Sequence, residues 1–81
     1  MRKDYSKRFL SSYNKAPFKI QKAFDKQADL LVKNVQHPSL RAKKYDESQD
    51  IWQARVDRHW RFYFIIKDDT YYFLDIILHP K

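Results

Sequence analysis

Arg55 stands near the end of one strand-like run, Ile51-Trp52-Gln53-Ala54-Arg55-Val56, and Arg61 near the start of another, Trp60 to Ile66. Only the polar residues Asp57-Arg58-His59 separate the two runs. If they pair as a hairpin with Val56 beside Trp60, Arg55 lies directly across from Arg61. Like charges facing one another on a sheet are destabilising. A site built to receive an anion accounts for that arrangement. A third run, Tyr71 to Leu78, ends beside His79. Strand alternation then puts Arg61, Tyr63 and Ile65 on one face with Tyr71, Phe73, Asp75, Ile77 and His79. The chemistry on offer is that of an arginine-rich anion site with a histidine able to move a proton near neutral pH.

The charge distribution agrees with an anionic partner. The net charge is +7, but residues 1–44 carry twelve Lys/Arg against three Asp/Glu, and residues 45–81 carry five against seven. A basic half on so small a domain points to nucleic acid or an acidic protein. Other chemistries are excluded by what is missing. There is no cysteine, so no disulfide framework and no thiolate metal site. His37, His59 and His79 are too scattered for a structural zinc, and His37 and His59 read as loop residues. There is no glycine, which removes the phosphate-binding loop, the dinucleotide fingerprint and the glycine-based nucleophile elbow. Each turn must instead use Asp, Asn, Pro or Ser. No apolar run reaches membrane-span length and the N-terminus leads into no signal-peptide core, so a cytosolic protein is expected.

The elements that must position these residues follow from periodicity. Tyr5, Phe9 and Tyr13 recur at helical spacing with Leu10 beside them, giving a helix over residues 5–14. Pro17 suits the first position of a second helix, whose buried stripe is Ile20, Phe24, Ala28, Leu31 and Val35. Asn34 and His37-Pro38 end it. Strands follow at Ile51–Val56, Trp60–Ile66 and Tyr71–Leu78, with a further one at Leu40–Tyr45. Phe62, Phe64 and Ile66, with Tyr72, Leu74 and Ile76 as partners, form the face expected against the helices. Six Phe, six Tyr and two Trp supply the core of an 81-residue chain, and Trp52 and Trp60 belong to it. The fold class is α+β: one domain over residues 1–81, an N-terminal helical hairpin packed on one face of a small antiparallel sheet.

Residues His37 to Lys44, the Ile51-Trp52-Gln53-Ala54-Arg55-Val56 strand, Trp60-Arg61-Phe62 and the late His79 together resemble the RelE/ParE toxin family, in the same order and over nearly the whole chain. The resemblance implies the toxin half of a type II toxin–antitoxin pair, held inactive by a cognate antitoxin and working without metal or cofactor. Many such toxins cleave mRNA on the ribosome, leaving a 2′,3′-cyclic phosphate, while the ParE branch blocks DNA gyrase. A third possibility is a member that only binds an antitoxin or DNA. On the nuclease reading, Arg61 stabilises the transition-state phosphate and His79 is the general acid, or a base in the reverse role. Lys43 and Lys44 serve as base or electrostatic support, and Arg41, Arg55 and Arg58 bind RNA phosphates. The competing structural account of Arg61 is an ion pair with Asp75. The chain departs from the family in three ways: its opening strand is absent or a stub, no tyrosine adjoins the histidine, and no glutamate matches the YoeB-like general base.

Overall fold

In the computed structural model, which describes residues 1–79, Ser6 divides the first strand, β1 (Arg2–Tyr5), from the first helix, α1 (Lys7–Lys15). Its hydroxyl accepts from the Phe9 amide and donates to the Leu74 carbonyl, both at 2.9 Å. That N-cap satisfies an amide that the helix cannot. The helix therefore starts two residues later than the aromatic spacing predicts, and Tyr5 belongs to the strand, its ring stacked on Phe73. The second helix, α2 (Phe18–Lys33), follows Pro17, and a single 3₁₀ turn, Pro38–Leu40, leads into the sheet. The remaining strands are β2 (Lys43–Asp46), β3 (Ile51–Arg55), β4 (Trp60–Lys67) and β5 (Thr70–Leu78).

The five strands lie in the order β1-β5-β4-β3-β2. The sheet is mixed and not purely antiparallel, because β1 pairs parallel to β5. The strand Arg2-Lys3-Asp4-Tyr5 has no signature in the sequence for a physical reason. All four residues are exposed, so nothing in their pattern alternates; the backbone ladder to β5 holds them, helped by the Tyr5 ring on Phe73 and an ion pair between Lys3 and Asp29. Among the described residues no helix is long and apolar enough to cross a membrane.

Both helices bury their apolar stripes on the same sheet face. Phe24 on α2 is 2 % exposed and meets four rings: Phe9 at 4.9 Å, Tyr13 at 6.0 Å, Phe62 at 5.1 Å and Phe73 at 5.3 Å. Ile20, Ala28, Leu31, Phe64 and Ile76 complete the buried layer, with Trp52 and Trp60 packed at its margin. One register detail corrects the expected facing. Tyr63 pairs with Asp75, yet Phe64 pairs with Phe73, which leaves Leu74 as an extra residue in a bulge. Before the bulge Tyr71 and Phe73 face the helices, in place of Tyr72 and Leu74; after it, Ile76 does, as expected. The bulge lets one strand supply core aromatics at its start and open-face polar groups at its end.

Without glycine, the turns that need a positive φ rely on aspartate. Asp68 and Asp69, at φ 51° and 59°, form the two-residue turn between β4 and β5, where both central positions need that conformation. Asp50 does the same at the end of the β2–β3 loop, at φ 59°.

The Phe24→Ala variant is expected to lose about 3–5 kcal/mol of stability in urea denaturation. A loss below about 1 kcal/mol would show that the layer does not depend on that ring.

Candidate nucleic-acid site on the open sheet face

The face away from the helices carries the cations. Across it, Arg55 of β3 pairs with Arg61 of β4, which pairs with Ile77 of β5. The next row runs Lys43, Gln53, Tyr63, Asp75. At this end of the sheet a cavity of about 360 Å³ is lined by Arg41, Lys43, Gln53, Arg55, Arg61 and His79. Five of the seven site residues expected from the sequence thus converge. The other two do not. Lys44 alternates to the helix side, where its ammonium lies 5.2 Å from the centre of the Trp52 ring and bonds the Asp50 carboxylate. That bond holds the ammonium above its ordinary pKa, so Lys44 is ill suited to act as a base. Arg58 lies in the β3–β4 turn and lines a separate cavity with Lys26 and Asp57, joined to the first only through Arg55.

Arg61 is set rigidly. It is 9 % exposed, and its Nη1 donates to the carbonyls of Asp57 (3.0 Å), Trp60 (3.0 Å) and Arg58 (3.4 Å). One corner of the guanidinium is thereby anchored in the turn, and its other nitrogens have no protein partner among the described residues. The expected alternative partner is engaged elsewhere: Asp75 accepts from the Ser12 hydroxyl at 2.7 Å and lies 3.2 Å from Arg8 Nε. Among the described residues none of Arg41, Lys43, Arg55, Arg61 and His79 has an acidic partner within ion-pair distance. Burial lowers the Arg55 pKa below its ordinary value, and the charges of Arg41 and Arg61 lower it further. Guanidinium stays protonated regardless; the lesser part of the shift comes from repulsion among the three cations. His79 is exposed, with its backbone amide fastened to the His59 carbonyl at 2.6 Å.

Gln27 joins the site as a positioning residue that sequence reasoning misses. It lies on the buried side of α2, where its Nε2 donates to the carbonyls of Ser39 (3.2 Å) and Arg55 (3.0 Å). The Ser39 hydroxyl donates back to its Oε1 at 3.4 Å. One amide therefore ties α2 to the 3₁₀ turn and to the end of β3. Arg41 follows that turn at φ 46°, ψ 44°, a left-handed conformation that costs a non-glycine residue about 1 kcal/mol. Such strain persists where surrounding contacts over-determine it, and Gln27 with the fully buried Leu40 supplies those contacts. The signal available in the sequence is a polar residue three positions after Phe24 and four before Leu31, inside the apolar stripe.

No protein-family model matches the sequence, and no curated protein matches it. Solved structures do. A YoeB/ParE toxin from Agrobacterium tumefaciens superposes with a TM-score of 0.82 at 8 % identity, over 99 % of this chain and all of that one. RelE in the archaeal RelE–RelB complex from Pyrococcus horikoshii gives 0.80 at 16 %, over 99 % and 96 %. YafQ from Escherichia coli gives 0.78 at 17 %, over 96 % and 93 %. The chain has the RelE/ParE toxin fold. At these identities the likeness lies in the backbone path, and β1 removes the first of the departures that the sequence suggested.

Replacing one of the clustered cations tests the electrostatics of this toxin fold. Arg55→Gln is expected to raise the melting temperature at low salt, with the gain shrinking as salt is added. A lower melting temperature at low salt would mean that Arg55 stabilises the fold, contrary to the repulsion argued above.

Proposed function

We propose that the protein is the single-domain toxin of a type II toxin–antitoxin pair and cleaves mRNA on the ribosome in the cytoplasm. The observation that carries this reading is the cavity in which Arg61, Arg55, Arg41 and Lys43 meet His79, with no neutralising carboxylate among the described residues that line it. Cleavage of RNA by its own 2′-hydroxyl needs cations for the developing phosphorane charge and a proton for the leaving oxygen. The 2′-oxygen attacks the adjacent phosphorus as its proton passes to Lys43, where that amine is neutral, or to solvent water. The bond to the 5′-oxygen breaks, and His79 donates a proton to that oxygen. The products are a 2′,3′-cyclic phosphate and a 5′-hydroxyl, and no metal enters the scheme.

Arg61, anchored at one corner, presents its remaining N–H groups to a non-bridging oxygen. Arg55 adds charge from across the ladder, and Arg41 and Lys43 hold the strand. Lys43, the lysine that reaches the cavity, is the candidate to assist the attacking hydroxyl as base or as fixed charge. The partner that restrains the toxin is a cognate antitoxin, since the fold occurs in solved RelE–RelB and YoeB–YefM complexes. The rival reading is a gyrase-binding toxin of the ParE kind, and the absence from the sequence of a tyrosine beside His79 and of a glutamate matching the YoeB-like general base favours it.

Induced expression in a bacterial host is expected to stop translation promptly, with ribosome-bound mRNA cut. His79→Ala should slow cleavage by about 10²–10⁴-fold and Arg61→Ala by about 10²–10³-fold. Both should restore growth while keeping the fold by circular dichroism. Replication arrest with intact mRNA would move the protein to the gyrase reading, and full toxicity of both variants would defeat the nuclease mechanism.

A further inference from the structure

A second cleft, of about 370 Å³, adjoins the cation cavity on the same open face. Its walls are Tyr45, Tyr63, Ile51 and Ile77, with Arg8 and Asp75 on its rim. Tyr45 follows Lys43 and Lys44 on β2, at the irregularity where the register with β3 shifts, and 61 % of it is exposed. Its ring meets that of Tyr63 edge-on, with centroids 5.0 Å apart. An exposed aromatic beside a half-buried one is a surface suited to a flat apolar partner.

The two sites are continuous. Gln53 lines the cation cavity, and its Nε2 donates to the Tyr63 hydroxyl at 3.0 Å. Ile77, in the wall of the cleft, is the register partner of Arg61. Tyr63 and Arg61 are two residues apart on one side of one strand, which separates them by roughly 7 Å. That is about the span from a nucleotide's phosphate to its base, so both can be engaged at once. The rim adds an acceptor and a donor, the Asp75 carboxylate and the Arg8 guanidinium, 3.2 Å apart.

We infer that Tyr45 and Tyr63 form a seat for one unpaired RNA base, stacked there while its phosphate occupies the arginine cavity. The inference rests on the reading of that cavity as an RNA phosphate site. Unpaired bases are recognised by aromatic stacking, with polar groups reading the base edge. The neighbouring excess of positive charge selects a nucleotide over an uncharged ring. Holding a base out of its stack also fixes the sugar next to Arg61, which in-line attack by the 2′-hydroxyl requires.

The test titrates the intact protein with inorganic phosphate and, separately, with adenosine 3′-monophosphate, following tyrosine ring and arginine side-chain signals by NMR. The nucleotide is expected to bind about tenfold more tightly than phosphate, in keeping with one stacked base, and to shift the rings of Tyr45 and Tyr63. Tyr45→Ala should erase that margin and leave phosphate affinity unchanged, while Tyr45→Phe should keep it. Equal affinities for the two ligands, or a margin that survives Tyr45→Ala, would overturn the base seat and leave the phosphate site standing. If neither ligand shifts Arg55 or Arg61, the phosphate site itself falls and the seat with it.

Discussion

The ring of Phe24 touches Phe9 and Tyr13 of the first helix and Phe62 and Phe73 of the two central strands, and the rest of the molecule is arranged around those contacts. They fix which sheet face is covered. A five-stranded sheet with two short helices has apolar material for one buried face only. Strand alternation then consigns Arg55, Arg61, Tyr63 and Asp75 to the other. The working face is thus a consequence of core packing, and its chemistry comes from residues whose neighbours in sequence are Ala54, Phe62, Phe64 and Ile76, all buried.

On that face the electrostatics run against stability. Among the described residues Arg41, Arg55 and Arg61 crowd together without a carboxylate, and one of them sits in a strained backbone conformation. The arrangement holds because two of them are fastened without an acidic partner: the Arg61 guanidinium donates to turn carbonyls, and Gln27 holds the backbone at Arg55. Pre-organised cations lacking internal counter-charges suit a site where negative charge arrives with the ligand and grows during reaction.

Much of this is legible in the sequence. The Arg55–Arg61 pairing follows from one assumption about a hairpin, and the His79 face from alternation. What escapes has physical causes. The β1 strand is exposed along its whole length, so its side chains show no alternation to read. The Leu74 bulge reverses facing within β5, and period-two reasoning cannot see an inserted residue. Lys44 and Lys43 look equivalent as neighbours in sequence, yet alternation sends them to opposite faces, and Asp50 claims Lys44. Gln27 reads in the sequence as a polar residue merely tolerated within an apolar stripe, whereas its amide bonds two other elements.

The glycine-free turns affect the unfolded chain as much as the folded one. A polypeptide in which every residue bears a Cβ samples fewer backbone states when unfolded, so less freedom is lost on folding. Against this stands the left-handed strain at Asp50, Asp68, Asp69 and Arg41 in the native state. For a domain near the lower size limit of a single core, that exchange shifts part of its stability from contacts visible in the fold to the stiffness of the chain before it folds.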